Sequence, residues 1–377
     1  MNMTASPVDP DGLMEFSVVF TDRSLNHMSK AFQGVMNDLY AMLREVYGAE
    51  AAVIVPGGGT AGMEAVARQF ATDARVLVIR NGWFSYRWTQ ILDTGDIASE
   101  TVVIKATQVG NETTSAFAPQ SIDAITAKIR EERPGIVFAP HVETSSGIIL
   151  PDEYLKAIAD AAHDVGALFV LDCIASGAIW VDMAATGVDV LISAPQKGWS
   201  ASPAAGLVML GDRAIARLGE TASSSFTLDL SKWHDIMQAY VAGGHAYHST
   251  MPTDALVVLR DRMIETRDFG FETAREKQWE LGNKVRALLA ANGYKSVAAP
   301  GFEAPGVVVS YTKDPDIQTG RKFLAEGMQI AAGVPLMCDE PADFRTFRVG
   351  LFGLDKLADV DGTVARLEAV LEKIAEG

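Results

Sequence analysis

Apolar residues recur along the chain with two different spacings, which predict different elements. Between residues 28 and 47 they recur every three or four positions, which predicts one amphipathic helix. After this helix, short continuous apolar runs alternate with segments of helical spacing, such as 120–132 and 152–165. The runs are typical of buried strands and lie at 51–56, 75–79, 101–105, 135–140, 167–173, 188–194 and 206–210.

This alternation of buried strands and helices predicts an α/β fold, with a mostly parallel sheet covered by helices on both faces. Ligands of such sheets bind beyond the carboxyl ends of the strands. From Thr253 onward the alternation is less strict, because a charged, helix-rich stretch precedes the remaining strands. We therefore predict a large domain over 1–250, with the N-terminal segment, and a smaller α+β domain over 251–377.

Composition and charge exclude several classes of protein. The formal net charge of −16 argues against nucleic acid or an anionic membrane as a partner. The longest apolar stretch, 166–195, contains three aspartates that a membrane span would tolerate badly. The two cysteines do not make a disulfide framework, and the N-terminus lacks a signal-peptide pattern. We expect a soluble, cytoplasmic protein without a metal site.

A glycine-rich segment, PGGGTAGMEA at 56–65, follows the first apolar run and opens a helical pattern. Its glycines fit G-x-G-x-x-G, a dinucleotide-binding motif. That motif also needs an acidic residue after the next strand, where Arg80 and Asn81 stand instead. Backbone N–H groups at a helix N-terminus, with the Thr60 hydroxyl, would suit a phosphate group. A tight glycine turn without a ligand is the alternative interpretation.

Other groups capable of chemistry stand at the ends of further predicted strands. NGWFSYRW at 81–88 places aromatic side chains there, HVETSSG at 141–147 offers hydroxyls, and Asp172 ends the run ALFVL. Lys197, in SAPQKGWS, follows the run VDVLISA. Taken alone, Lys197 could be a surface lysine and Asp172 a cap or half of a buried ion pair. Together, an amine, a carboxylate, a phosphate site and an aromatic ring at one sheet edge are what pyridoxal 5′-phosphate (PLP) requires.

The ordered set of motifs resembles a known family. The segments that carry the resemblance lie between Val55 and Gly353 and read PGGGTAGMEA, NGWFS-Y-R, HVETSSG, LDCIAS, SAPQKG, YHSTMP and FRVGLFG. The sequence resembles the class V aminotransferases of the fold-type-I PLP superfamily, in particular the alanine–glyoxylate and serine–glyoxylate group. The resemblance implies PLP as cofactor and a homodimer with shared active sites.

The resemblance also implies a role for each residue of the site. Lys197 is the expected Schiff-base lysine and Asp172 the partner of the cofactor's ring nitrogen, so these two are the expected catalytic residues. Arg348 in FRVG is expected to bind the α-carboxylate of the substrate. The other expected cofactor contacts are Gly58, Gly59, Thr60 and Gln196 at the phosphate, Phe84 and Ile174 on the ring faces, Thr144 at the phenolic oxygen, and Tyr247 and Thr250 at the phosphate in the neighbouring subunit.

Two segments depart from the family's pattern. TASPVDP at 4–10 lacks the glycine of the family's N-terminal Pro-Gly-Pro turn. The segment after the lysine, GWSASPAAG, brings an unexpected Trp199. Cys173, beside the expected catalytic aspartate, is interpreted as a small buried filler.

The resemblance implies an aminotransferase that moves the amino group of a small amino acid, of alanine or serine type, to glyoxylate or pyruvate by a ping-pong mechanism. One alternative is a PLP-dependent lyase or desulfurase with Cys338 as nucleophile, although Gln196 stands where the desulfurases have histidine. A phosphonate-type transaminase is a second alternative. A nicotinamide-dependent dehydrogenase is a remote third, because it would explain neither Lys197 nor Asp172.

The number of arginines that can bind a substrate carboxylate indicates whether the substrate has one carboxylate or two. Because side chains alternate along a strand, Arg345 should point away from the face that Arg348 occupies. Arg23 is the other candidate near the entrance, and we interpret it as a solvated or structural residue. We therefore expect monocarboxylic substrates rather than aspartate or glutamate.

Overall fold

The structure is a computed structural model that describes residues 8–376. Part of the segment TASPVDP, residues 4–7, therefore lies outside the described residues. No helix among the described residues is long and apolar enough to cross a membrane.

The central sheet has seven strands in the order β1-β7-β6-β5-β4-β2-β3. Six strands run parallel to one another, and β7 is antiparallel to both of its neighbours, β1 and β6. The prediction of a mostly parallel sheet is confirmed. The strands are β1 (Ala51–Pro56), β2 (Arg75–Arg80), β3 (Glu100–Lys105), β4 (Ile136–Pro140), β5 (Leu168–Asp172), β6 (Val190–Ser193) and β7 (Ala205–Leu210).

Helices cover both faces of this sheet and extend beyond it. The predicted amphipathic helix is α1, which begins after Ser29, whose hydroxyl accepts the Phe32 N–H, and ends at the left-handed Gly48. The helices are α1 (Lys30–Tyr47), α2 (Gly59–Phe70), α3 (Trp83–Thr94), α4 (Ile122–Glu132), α5 (Asp152–Asp164), α6 (Met183–Thr186), α7 (Asp212–Leu218), α8 (Leu230–Val241), α9 (Thr253–Phe269), α10 (Phe271–Ala291), α11 (Pro315–Gln318), α12 (Arg321–Ala325), α13 (Leu354–Ala358) and α14 (Val360–Glu376).

A second, antiparallel sheet is built by the later part of the chain. Its strands are β8 (Val307–Tyr311), β9 (Ala331–Ala332) and β10 (Thr346–Gly350), in the order β8-β10-β9. Two antiparallel ribbons, Thr107–Gln108 with Phe117–Ala118 and Val142–Glu143 with Ile148–Ile149, complete the strands.

The helix-rich stretch that follows residue 250 packs on both parts of the molecule. It consists of α9 and α10, which meet at Gly270, where φ is +97°. Leu256, Leu259 and Met263 of α9 belong to the same apolar core as the central sheet. Leu281 and Val285 of α10 belong to the core of the second sheet. The domain boundary near residue 250 stays a prediction.

The strand register brings several chain turns to one edge of the central sheet. Asp172, the last residue of β5, pairs with Pro140 of β4 and with Ile192 of β6. Since these strands are parallel, the turns that follow them leave the sheet on the same side. The chain enters α2 after β1 and α3 after β2 at this edge as well.

Candidate active site

A cavity of about 520 Å³ lies at the carboxyl edge of the central sheet, where the second sheet closes over it. Nine of the twelve predicted site residues line it: Gly59, Thr60, Phe84, Thr144, Asp172, Ile174, Gln196, Lys197 and Arg348. Gly58 is the N-cap of α2 beside it. Tyr247 and Thr250 do not line it.

The glycine-rich segment presents the N-terminus of α2 to this cavity. The first helical hydrogen bonds run from the N–H groups of Ala61 and Gly62 to the Gly58 carbonyl, so the N–H groups of Gly59 and Thr60 precede them. A Cβ atom on Gly59 would lie 2.6 Å from the Ile174 Cδ1, so only glycine lets the helix end approach Ile174. This arrangement suits an anionic group.

No acidic residue follows β2 as a dinucleotide site would need. The strand ends at Arg80, which is buried and donates hydrogen bonds to the Thr89 hydroxyl at 2.7 Å and to the Met337 carbonyl at 3.2 Å. The G-x-G-x-x-G match therefore lacks its ribose-binding partner.

The residues that follow Lys197 in the chain anchor its loop to the rest of the protein. Trp199 is fully buried, and its ring centroid lies 4.6 Å from that of Trp180. Ser200 has a left-handed backbone (φ 56°), and its hydroxyl accepts the Leu354 N–H at 3.0 Å. The unexpected Trp199 is thus a core residue that holds the lysine loop to the body of the protein.

The Lys197 amine is half-buried and forms no ion pair within residues 8–376. Its Nζ lies 5.1 Å from the centroid of the Phe352 ring. Burial lowers the pKa of this amine, and the positive charge of Arg348 lowers it further. A lysine with a depressed pKa is a better nucleophile at neutral pH.

Asp172 is a buried carboxylate that faces the same cavity. Its Oδ1 accepts the Ile174 N–H at 2.9 Å, and no lysine, arginine or histidine among the described residues pairs with it. Burial raises the pKa of Asp172 to about 7; the Ile174 N–H lowers it, the charge of Glu143 raises it, and Arg87 lowers it. A carboxylate held in this way suits a cationic partner that arrives with a ligand.

The aromatic segment at 81–88 divides between the cavity and the core. Phe84 lines the cavity, whereas its neighbour Trp83 packs against Tyr86 at a centroid distance of 5.6 Å. Trp88 is buried and stacks on Phe138 at 4.2 Å. Phe84 is therefore the aromatic side chain that α3 offers to a ligand.

The motif HVETSSG places one hydroxyl in the cavity, that of Thr144. The Ser145 hydroxyl accepts the Trp83 N–H at 2.8 Å, and the Ser146 hydroxyl donates to the Asn81 carbonyl at 2.9 Å. These two serines therefore bind the start of α3 and do not face the cavity.

Arg348 reaches the cavity from β10. Its Nε donates to the Ala332 carbonyl at 2.8 Å, and its guanidinium carbon lies 5.5 Å from the Phe84 ring centroid. Arg345 donates to the Lys313 carbonyl and does not line the cavity, and neither does the exposed Arg23. Among the described residues of the second sheet, Arg348 is thus the one arginine that lines the cavity.

Neither cysteine lines the cavity. Cys173 is buried beside Asp172, as the filler interpretation expects. The Cys338 thiol is also buried and donates to the Arg80 carbonyl at 3.4 Å; burial raises its pKa to about 12. A thiol with so high a pKa is a poor nucleophile, which argues against the desulfurase alternative.

Further lining residues were not among those predicted from the sequence. Arg87, on α3, donates to the Thr60 hydroxyl at 3.1 Å and lies 5.1 Å from the Phe84 ring centroid. Its three-residue spacing from Phe84 on a helix is the signal that could have identified it. Gln329 and Phe352 come from loops of the second sheet, where no periodicity marks them.

The model of the family "Aminotransferase class-V" matches residues 15–350. The chain belongs to this family. This aminotransferase is 30% identical over 362 residues to a 2-aminoethylphosphonate–pyruvate transaminase of Burkholderia mallei (strain SAVP1), with 94% of this chain and 90% of the relative covered. The predicted family and the predicted enzymatic class are confirmed, and the dehydrogenase alternative is set aside.

Solved structures share the fold of this aminotransferase. An alanine–glyoxylate aminotransferase from Nostoc sp. superposes with a TM-score of 0.77 at 22% identity, covering 92% of this chain and 89% of the other. A ureidoglycine–glyoxylate aminotransferase from Bacillus subtilis gives a TM-score of 0.76 at 23% identity, covering 93% and 88%. The prediction of the fold-type-I architecture is confirmed.

The class V family depends on PLP, and the cavity of this aminotransferase fits that cofactor. The buried Asp172 carboxylate has no cationic partner among the described residues, which suits a protonated pyridine nitrogen. The unpaired Lys197 amine suits the aldehyde, and the N-terminus of α2 suits the phosphate.

Proposed function

We propose that this aminotransferase binds PLP in the cavity described above and moves an amino group from a small donor to a small 2-oxo acid, glyoxylate or pyruvate. The observation that carries the proposal is the convergence of Lys197, Asp172 and the N-terminus of α2 on one cavity. When bound, PLP supplies the electron sink that stabilises a carbanion.

Residues of this chain supply the other functions that the reaction needs. Asp172 holds the proton at the ring nitrogen, and its burial makes this charge interaction strong. The Lys197 amine would hold the cofactor covalently until the amine of the substrate displaces it, and the released Lys197 amine would then move the proton at the substrate's α-carbon. The groups at Gly58, Gly59, Thr60 and Gln196 bind the phosphate, Phe84 and Ile174 cover the ring, and Thr144 binds the phenolic oxygen.

Arg348 is proposed to bind the carboxylate that every amino acid and 2-oxo acid substrate carries. Replacing Arg348 with alanine should lower kcat/KM about 10²-fold for alanine, serine and pyruvate alike, since hydrogen bonds to a charged group are lost. Steady-state kinetics with each substrate measures this. Arg345→Ala is the matched control, because Arg345 bonds to the Lys313 carbonyl outside the cavity, and it should keep the parent kcat/KM.

The same panel tests the size and charge of the donor. Two guanidinium groups line the cavity: Arg348 comes from the second sheet, and Arg87 donates to the Thr60 hydroxyl at the proposed phosphate site. With Arg348 alone left for a substrate carboxylate, alanine and serine should exceed aspartate and glutamate in kcat/KM. A clear preference for a dicarboxylic donor would contradict the proposal and direct attention to Arg23 and Arg87.

A phosphonate donor is the second candidate, which the 30% identity to a 2-aminoethylphosphonate–pyruvate transaminase favours. A guanidinium binds a phosphonate as well as it binds a carboxylate. Including 2-aminoethylphosphonate in the panel separates the candidates, because a preferred phosphonate donor with pyruvate as acceptor would identify this second function.

We also propose that the enzyme acts as a homodimer that shares its active sites, in the cytoplasm. Thr60 is exposed, so the phosphate end of the cavity is open to solvent in one subunit. Tyr247 and Thr250 are exposed, hydrogen-bonded to each other at 3.2 Å, and outside their own cavity. The large side chain of Phe226 is also exposed, and it packs on His248 beside Tyr247. An exposed apolar surface around two polar groups is typical of an interface.

Hybrid dimers test this assembly. Mixing Lys197→Ala with the double variant Tyr247→Phe/Thr250→Ala should restore activity to about a quarter of the parent value, because half of the dimers are hybrids with one complete site each. Turnover after subunit exchange, verified by native mass spectrometry, measures it. An absence of recovery despite verified exchange would show that Tyr247 and Thr250 serve their own subunit.

A further inference from the structure

Glu143, in the motif HVETSSG, is a completely buried carboxylate that does not line the cavity. Its Oε1 accepts the N–H groups of Phe84 and Ser145, both at 3.1 Å, and the Ser145 hydroxyl at 2.7 Å. Its Oε2 accepts the Ser85 N–H at 2.8 Å and the Ser85 hydroxyl at 2.7 Å. All five contacts use the carboxylate as an acceptor.

These contacts replace a cap that α3 lacks. The N-cap residue of α3 is Gly82, which has no side chain to accept the first N–H groups. The Ser145 hydroxyl accepts the Trp83 N–H, and Glu143 accepts the next two. A Cβ atom on Gly82 would lie 2.7 Å from the Glu143 Cγ, so glycine at this position makes room for the carboxylate.

The capped turn is the one that presents Phe84 to the cavity. Thr144, which stands between the two capping residues, lines the same cavity. The residues on either side of Thr144 in the chain, Glu143 and Ser145, therefore hold the turn that carries Phe84 through buried hydrogen bonds. A negative charge at a helix N-terminus also interacts favourably with the helix dipole.

We propose that Glu143 is a positioning residue that holds the first turn of α3 so that Phe84 covers the cofactor ring. The inference rests on the proposed function, since it assumes that Phe84 stacks on PLP.

The variant Glu143→Gln tests the role without removing volume. The amide group places an N–H₂ where one carboxylate oxygen accepts a helix N–H, so a donor then faces a donor. Hydrogen exchange of the cofactor-free protein should become at least about 10-fold faster at Phe84 and Ser85. The Kd for PLP, measured by fluorescence titration, should rise roughly 3- to 10-fold, the range of an aromatic stacking contact.

A double-mutant cycle separates positioning from general destabilisation. In a Phe84→Leu background, Glu143→Gln should change the Kd for PLP by less than about 2-fold, because the group that Glu143 positions is gone.

Asp189→Asn is the matched control: Asp189 is also buried and accepts the Phe169 N–H at 2.7 Å, at the opposite edge of the sheet. It should leave the Kd for PLP unchanged. Ser145→Ala, a milder change in the same cap, should weaken PLP binding in the same direction as Glu143→Gln.

Three results would overturn the proposal: parent-like exchange and PLP affinity in Glu143→Gln, equal weakening with and without Phe84, or equal weakening by Asp189→Asn. If Glu143→Gln does not fold, Ser145→Ala carries the same tests. A parent protein that binds no PLP would refute the proposed function and the role of Phe84 with it. The exchange rates at Phe84 and Ser85 would then still report the Glu143 contact separately.

Discussion

Replacing Lys197 with alanine should abolish steady-state transamination, with kcat reduced by about 10⁴-fold or more. Acid–base catalysis alone contributes up to about 10⁴-fold, and the covalent link to the cofactor is lost as well. PLP should still bind through the N-terminus of α2 and the Thr60 hydroxyl, with a weaker Kd. Kinetics, together with borohydride reduction and peptide mass spectrometry, measures both effects.

The control for this change is another lysine of the same chain. Lys156 lies on α5, is largely exposed and pairs with Asp160, so Lys156→Ala should keep the parent kcat. Reduction of the parent protein should attach the cofactor to the peptide that contains Lys197. If Lys197→Ala turned over like the parent, the assignment of the active site would be wrong.

The sequence predicted the central sheet well because each of its strands is a buried apolar run. Every strand of that sheet overlaps a predicted run, and the polar residues that follow these runs meet at one edge, as parallel strands require. Lys197 and Asp172 could be identified because a lysine or a carboxylate directly after a buried strand is unusual.

Other parts of the site depend on contacts between distant segments. Glu143 stands in HVETSSG, a motif that predicts hydroxyl groups at the site. Its contact with the first turn of α3 joins residues that are 59 positions apart along the chain, so the sequence alone does not show it. Trp199 departs from the family's pattern, and its burial against Trp180 is visible only in the folded chain. Gln329 and Phe352 reach the cavity because the second sheet packs over the first, which periodicity does not encode.

Asp172 connects catalysis to the stability of the cofactor-free protein. Burial raises the pKa of its carboxyl group from 3.8 to about 7. Between these values the folded protein holds a proton that the unfolded chain has released, so the free energy of unfolding falls as pH rises through this window. Above pH 7 the buried charge costs on the order of a few kcal/mol until a cationic ligand compensates it.

Replacing Asp172 with asparagine should therefore change activity and stability in opposite directions. With PLP bound, kcat should fall by on the order of 10²–10³, as for loss of one preorganised electrostatic group, because the amide cannot hold the ring proton by charge. Without PLP at pH 8, the variant should melt at a higher Tm than the parent, since Oδ1 can still accept the Ile174 N–H and no charge is buried. The difference in Tm should shrink toward zero near pH 4, where the parent carboxyl is protonated in the folded state.

Calorimetry of both cofactor-free proteins across this pH range measures the difference in Tm. Asp189→Asn, which loses a carboxylate paired with Arg213, is a destabilised control. Near-normal turnover, or a cofactor-free variant less stable than the parent at pH 8, would show that Asp172 is already compensated inside the protein and does not await the cofactor's charge.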